Sequence, residues 1–351
     1  MQKPAISAYP TENQRVALRE LIRTDEAARR FWIELQRRSH EALTMPYRPI
    51  HAIAYEGRLH NDPERIGCVA HLSDMDRLDA VVQAWAVSGE LSTEKWAIGC
   101  LLAWAESYEP TGNPINENKL EPLLLAAYLF QERIPHGARG MLRAWVKRLA
   151  EMQMESVERQ PNTSLNNWHP KRLKLIAWAG LILSDSSMFN YSIQSARGYI
   201  DRSLRADGSS VDIEQRDSLG YHIGGLKPLV RLAALLFPAN VDLYHYEAES
   251  GASPARSVAF VVPYATGEKQ YREFVNTKVA LDRQRAAAGL AHYQPGRIFS
   301  PEETVSLWEA SLAFEPQYVE ILRKVTRRES RYPTWPAVMG SIGWVHETIG
   351  K

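Results

Sequence analysis

Cysteine is scarce in this chain: Cys68 and Cys100 are the only two among 351 residues. Two thiols make neither a disulfide framework nor a four-ligand zinc site, and free cysteine ordinarily packs as a small buried hydrophobe. Missing too is any apolar run approaching the ~20 residues that cross a bilayer, so no membrane partner is expected. The opening stretch, MQKPAISAYPTENQRVAL, lacks the apolar centre of a signal peptide, which predicts a cytoplasmic protein or an exported one written without its signal. Charge of one sign is absent as well. A formal net charge of +1 gives no global field to recruit nucleic acid. An acidic ligand stays compatible, provided that basic residues gather in a groove. No HExxH, Walker loop, GxGxxG or GxSxG arrangement occurs, so metalloprotease, NTPase, dinucleotide and serine-hydrolase chemistry lack support.

What is present is helical periodicity. The composition, 45% hydrophobic and 24% charged, is that of an ordinary soluble globular protein. Apolar residues recur at helical spacing over 12–45, and Pro46 and Pro49 end that run. A polar, glycine-containing loop follows (HAIAYEGRLHNDPERIG), the usual setting for a lid or binding segment. Helical spacing returns from Asp74 to Ala105, with Ser92-Thr93-Glu94 as the expected cap between two helices. The stretch YEPTGNPINENK carries strong turn chemistry. Further helices are predicted over 119–133, 136–157, 268–289 and 301–327, with Pro301 in a first turn. AFVVPYA is the one segment patterned like a strand, and the tail RYPTWPAVMGSIGWVHETIG reads as irregular. At about 150 residues per domain the length admits two domains, but no low-complexity linker separates them. The expected architecture is therefore one all-α domain of stacked helical hairpins, closed or partly closed into a toroid. An α-solenoid is the rival, and no fixed-period repeat supports it.

The stretch from Leu165 to Leu236 is the most informative. Two apolar helical patterns, separated by a turn at Ala206-Asp207-Gly208, each open with a polar cluster. The first opening carries Asn166, Asn167, Trp168 and His169. Either asparagine is an expected cap, Pro170 fits the first turn, and Leu173, Ile176, Ala177, Gly180 and Leu181 mark the core face. The second opening carries Arg216, Asp217, Ser218, Tyr221 and His222, followed by an apolar face and by Pro228, expected to bend the helix. Taken singly, such residues have ordinary duties as caps, edge-of-core rings and hydrogen-bonded histidines. Facing one cleft, they supply an amide, an imidazole, a guanidinium and a phenol together. That set suits removing a proton next to a carboxylate. A phenol of pKa ~10 needs help to act as a base, and a nearby guanidinium favours its ionised form.

LNNWH, followed some fifty residues later by EQRDSLGYHIGGLKPL, resembles the alginate lyase superfamily of polysaccharide lyases. YEPTGNPINENK and YEGR resemble other parts of the same pattern, so the likeness extends over about residues 45–290. The wording is closest to the branch that contains glucuronan lyases and some alginate lyases. The resemblance implies an (α/α) toroid, an incomplete barrel, and metal-free β-elimination on a 1,4-linked polyuronate, with no cofactor and a monomeric enzyme. It implies that Asn167, with Asn166, and Arg216 neutralise the sugar carboxylate, the planar guanidinium fork matching it. Tyr221 resembles the base and acid of syn elimination, and His169 the histidine that neutralises the carboxylate or serves as base in anti elimination. His222 is a second imidazole able to replace either. Tyr55 resembles a lid tyrosine, while Trp168, Arg58, Trp104, Asn113 and Asn116 are candidates to line the cleft. The match departs from the usual Asn-Asn-His at Trp168, and Arg216 stands closer to Tyr221 than the usual arginine does.

Two other classes compete. A glycoside hydrolase on a similar toroid needs two carboxylates about 6.5–9.5 Å apart, for which Asp212, Glu214 and Asp217 are candidates. A non-catalytic helical scaffold would use the 10 tryptophans for sugar or peptide recognition. The Asn/His/Arg/Tyr set suits carbanion-like charge, and the polar residues gather at two helix starts instead of along a repeated face. Elimination is the favoured chemistry.

Overall fold

The computed structural model of the protein describes residues 11–342. The first ten residues and the end of the tail lie outside them, and with these the start of the opening stretch. Among the described residues the named strands are Arg272–Glu273 and Arg297–Ile298, an antiparallel pair with Arg272 opposite Ile298 and Glu273 opposite Arg297. The regular structure is otherwise helical, and the residues group into two compact units.

One unit holds residues 11–161 and 171–192. The run expected as one helix over 12–45 is two, Glu12–Thr24 and Glu26–Leu43, because Asp25 leaves the helical conformation and its carboxylate accepts from Ala28 N at 3.0 Å. The next helix starts earlier than its apolar spacing suggests, at Pro63, where Asp62 accepts from Glu64 N and Arg65 N. It runs to Ser88, and Gly89 ends it in the left-handed region at φ +71°. The following helix, Leu91–Ser107, starts after Glu90, so the break precedes Ser92-Thr93-Glu94. Helices Glu121–Phe130 and His136–Arg159 complete the predicted set. Leu78, Leu101, Trp104, Leu123, Phe130 and Leu149 are fully buried, each such side chain contributing about 1.5–3 kcal/mol of burial.

The other unit holds residues 162–170 and 193 onward. Its central helix, Leu219–Leu236, buries Leu219, Ile223, Leu226, Leu229, Val230 and Ala233, the face read from its spacing. AFVVPYA is not a strand: it lies in the helix Pro254–Ala265, started by Ser253, whose side chain accepts from Arg256 N. Val258 and Val261, three apart, take its buried side, so helical spacing prevails over β-branching. The helix expected over 268–289 shortens to Ala280–Ala287, because 272–273 pairs with 297–298. The one expected over 301–327 breaks into Val305–Ser311 and Val319–Thr326 with 3-10 turns around them. Within the tail, Trp335–Gly340 is a short helix.

Candidate active site

The helix carrying Tyr221 is fastened at its start. Ser218 caps it, accepting from Tyr221 N at 3.2 Å, and donates its hydroxyl to Glu273 Oε1 at 2.8 Å. Gly220 N donates to the same oxygen at 2.8 Å. Glu273 is fully buried and pairs with Arg297, which also holds Glu303 at 2.7 Å. A carboxylate at a helix N-terminus meets unsatisfied N–H groups and the positive end of the dipole. Just before the cap, Asp217 adopts φ +49°, and this left-handed residue separates Val211–Arg216 from the Tyr221 helix. Its carboxylate accepts from the Tyr271 hydroxyl at 2.9 Å and from Asn276 N at 2.8 Å, and its carbonyl from Phe274 N at 2.7 Å.

These bonds fix the segment between the two strands, and that segment delivers side chains to Tyr221. Arg285 Nη1 donates to Tyr221 Oη at 3.1 Å and to Tyr293 Oη at 3.0 Å, and the two hydroxyls stand 3.3 Å apart. Phe274 meets the Tyr221 ring edge-on, centroids 6.2 Å apart. Arg216 lies over that ring at 3.9 Å and pairs with the fully buried Asp282 at 2.6 Å. Thr277 Oγ1 donates to the other oxygen of Asp282. Burial raises the Tyr221 pKa, while the charges of Arg216 and Arg285 pull it down.

The first polar opening packs onto the same helix. Asn166 Oδ1 accepts from Trp168 N at 3.0 Å and its carbonyl from His169 N at 3.1 Å, at the start of the helix Trp168–Leu183. Asn167 is buried against the glycine pair of the Tyr221 helix. A Cβ on Gly225 would lie 3.4 Å from Asn167 Cα and 3.2 Å from the Tyr199 hydroxyl, and one on Gly224 3.5 Å from Asn167 Nδ2. His169 is buried, its ring centroid 6.0 Å from that of Tyr199. Gly225 stands one helical turn beyond Tyr221. Asn167 thus packs one turn along the helix from Tyr221, and His169 stands beside Tyr199, whose hydroxyl lies against the same Gly225, while Trp168 is half-buried.

His222 does not join them. It is fully buried, with Nδ1 against Ser210 Oγ at 2.8 Å and Nε2 against the Ser257 carbonyl at 3.3 Å. Burial lowers its pKa to about 4, so it is a neutral structural link and not a replacement for His169. The carboxylates considered for hydrolysis have structural duties as well. Glu214 pairs with Arg205 through two bonds, at 2.6 and 2.8 Å, Asp217 holds the inserted segment, and Asp212 is buried.

The remaining candidates belong to the other unit. Trp104 is core, fully buried with Nε1 donating to Asp74 at 2.9 Å, which removes it from the cleft-lining set. Asn113 caps the short helix Pro114–Glu117, accepting from Ile115 N and Asn116 N. Asn116 holds the preceding loop, donating to the Ile53 carbonyl at 2.7 Å and accepting from Glu56 N at 2.8 Å. Arg58 pairs with Asp62 at 3.0 Å and with Glu64. Tyr55 is half-buried between two cations, Arg65 at 3.9 Å and Lys119 at 3.7 Å from its ring centroid. Sequence reading missed Arg285, Tyr293, Glu273 and Asp282, none of which stands in a motif.

The family described as alginate lyase matches residues 29–271. No curated protein matches. Among solved structures, an alginate lyase from Bacteroides ovatus is similar at 15% identity with a TM-score of 0.68, covering 97% of this chain and 99% of that one. Alginate lyase A1-III from Sphingomonas species A1 is similar at 15% identity and a TM-score of 0.56, covering 89% and 90%. A tetrasaccharide complex of alginate lyase A1-III with a tyrosine-to-phenylalanine substitution matches over the same shares at 15% identity and a TM-score of 0.60. These likenesses show the fold class expected from the sequence, the (α/α) toroid of helical hairpins.

Proposed function

Because this chain belongs to the alginate lyase family, and so is a polysaccharide lyase of alginate-like polymers, we propose that Tyr221 carries the proton in β-elimination on a 1,4-linked polyuronate. The observation that carries this reading is the packing of Asn167 against the helix of Tyr221, two residues from the buried His169, with the Tyr221 ring beneath the Arg216 guanidinium. The tetrasaccharide held by alginate lyase A1-III supports an extended saccharide as the ligand.

The reaction uses protein side chains alone. Asn167 and His169 donate to the sugar carboxylate, stabilising the charge that spreads onto it as the C5 proton leaves. The ionised oxygen of Tyr221 takes that proton. The electrons of the C5–H bond form the C4–C5 double bond as the bond from C4 to O4 breaks. Tyr221 then returns the proton to the departing O4, which leaves a 4,5-unsaturated uronate and restores the phenolate. One group acting as base and then acid requires both proton transfers on the same face of the sugar, a syn elimination. Each positioned transfer contributes about 10²–10⁴-fold. Arg216, which the resemblance assigned to the sugar carboxylate, has its charge directed at Asp282 and the phenol ring, and in this mechanism it favours the phenolate.

Glucuronan and alginate are the substrates to test first, with a monomeric enzyme and no added metal, following the appearance of the new double bond in the ultraviolet. Tyr221→Phe is expected to abolish turnover while the melting temperature holds. Near-normal activity in that variant rejects Tyr221 as proton carrier, and hydrolysis without an ultraviolet product rejects elimination. Activity is expected to climb above neutral pH, since burial raises the phenol pKa and the ionised form is the active one. A sharp acidic optimum contradicts this.

A further inference from the structure

The family match ends at residue 271, yet among the described residues the side-chain hydrogen bonds to the Tyr221 hydroxyl come from Arg285 and Tyr293, beyond that point. Arg285 stands on the helix Ala280–Ala287 and Tyr293 on the 3-10 turn Ala291–Tyr293. Both lie between strands Arg272–Glu273 and Arg297–Ile298, whose pairing closes the segment at its base. One N–H-bearing nitrogen, Arg285 Nη1, is within hydrogen-bond distance of both phenol oxygens.

We propose that Arg285 is a positioning residue that, with Tyr293, holds the Tyr221 oxygen as a phenolate ready to accept a proton. The proposal rests on Tyr221 being the proton carrier. When Tyr221 is ionised, its oxygen accepts from Arg285 Nη1 and from the Tyr293 hydroxyl. When it carries the C5 proton, Tyr293 reverses and accepts, while the guanidinium stays a donor throughout. Hydrogen bonds to an ionised group are roughly twice as strong as neutral ones, so the pair favours the charged oxygen over the neutral one.

Of the charged groups around the phenol, Arg285 is the one that reaches its oxygen. Arg216 covers the ring face and favours the phenolate from there, its charge shared with Asp282 at 2.6 Å and making no bond to the oxygen. Glu273 and Arg297 offset each other at the helix start, and Asp217 is held by Tyr271 and Asn276. His292, exposed, meets the Phe274 ring at 6.2 Å and the Tyr293 ring at 5.2 Å. Among the described residues Arg285 is paired with no carboxylate, and its positive charge is directed at the two hydroxyls.

The test compares the full-length wild type with Arg285→Gln, Arg285→Lys and Tyr293→Phe. In Arg285→Gln, kcat is expected to fall about 10²-fold near neutral pH, on the scale of removing one oriented donor. KM should stay within about threefold, and the rise of kcat with pH should move up by about one unit or more, a tenfold change in the ionisation equilibrium. Arg285→Lys should recover part of the loss by restoring a charged donor. Tyr293→Phe should shift the profile in the same direction by less. A raised KM with an unmoved profile overturns the proposal, as does an unchanged kcat.

A second readout does not depend on turnover. The phenolate absorbance of wild type minus that of Tyr221→Phe, followed through an alkaline titration, isolates the Tyr221 oxygen. The same difference is measured in the Arg285→Gln background. A midpoint that is higher without Arg285 supports the proposal, and coincident midpoints overturn it. If no polyuronate is cleaved by the wild type, the lyase mechanism fails while this titration still decides the role of Arg285. If cleavage is lost in Tyr221→Phe but the midpoints coincide, the Arg285 proposal alone falls.

Discussion

Glu117 and Glu273 are both fully buried carboxylates that accept from backbone N–H groups, one in each compact unit, yet they are balanced differently. Glu117 accepts from Thr111 N at 2.5 Å, Gly112 N at 3.0 Å, Thr111 Oγ1 at 3.0 Å, the Tyr108 hydroxyl at 3.1 Å and Gln153 Nε2. Every one of these donors is neutral. Burial raises its pKa, and the bonds from Thr111, Gln153 and Gly112 oppose the shift. Glu273 instead has a cation, Arg297, besides the donors at the start of the Tyr221 helix. The difference teaches that one carboxylate shapes a loop as a hydrogen-bond acceptor, whereas the other is half of an ion pair that anchors the start of the Tyr221 helix.

The largest expected effect is at the ion pair. Glu273→Ala leaves Arg297 with Glu303 as its remaining partner and removes the acceptor for Ser218 and Gly220. Breaking a buried pair from one side costs about 3–5 kcal/mol, so a chemical denaturation curve should show a loss of that order, with turnover falling in the residual folded protein. An unchanged curve would mean that the pair anchors nothing.

Next comes His222, a buried titratable group in the same unit as Glu273. Its folded pKa of about 4 lies below the ordinary ~6.5, so its contribution is present at neutral pH and is lost as pH falls from the upper value through the lower. His222→Gln should cost about 1–3 kcal/mol at neutral pH through its bonds to Ser210 and Ser257, and should flatten the acid side of the stability curve. Melting temperatures of the two proteins across that window check both parts.

The smallest effect is expected at Glu117. Its raised folded pKa has the opposite sign: stability is fully present below the ordinary carboxylate pKa of ~4.3 and declines as pH rises through the folded value. Glu117→Gln keeps an acceptor for the Thr111 and Gly112 donors. It should change stability by less than about 1 kcal/mol near neutrality and remove that decline. A loss comparable to that of Glu273→Ala would erase the contrast between the two carboxylates.

Much of this was legible in the sequence, and the illegible part has a physical pattern. The asparagine pair at the start of the Trp168 helix, the apolar face of the Tyr221 helix and the Pro-Gly-Asn loop before Glu117 follow from local chemistry, so short windows disclose them. Neighbouring polar residues such as Asn167 and His169 also announce themselves, because a cluster at a helix start is unusual. Arg285 and Tyr293 sit 64 and 72 positions from Tyr221, and a two-residue strand pairing together with the bonds of Asp217 to the inserted segment brings them to it. No periodicity records such a contact. Asp25, read as part of a helix, acts as its own cap, a choice that depends on one side-chain bond. His222 and Trp104 carry attractive side chains, but burial gives them to the core.

On the proposed mechanism, the guanidinium lying over Tyr221 limits how a sugar can meet it. With Arg216 roofing that face at 3.9 Å and Phe274 standing against the rim, the aromatic disc offers no open platform on the roofed side for a pyranose to lie flat upon. In that mechanism contact comes through the oxygen at its tip, so discrimination between epimers would depend on which way a single carbon–hydrogen bond points and not on how well two flat surfaces overlap.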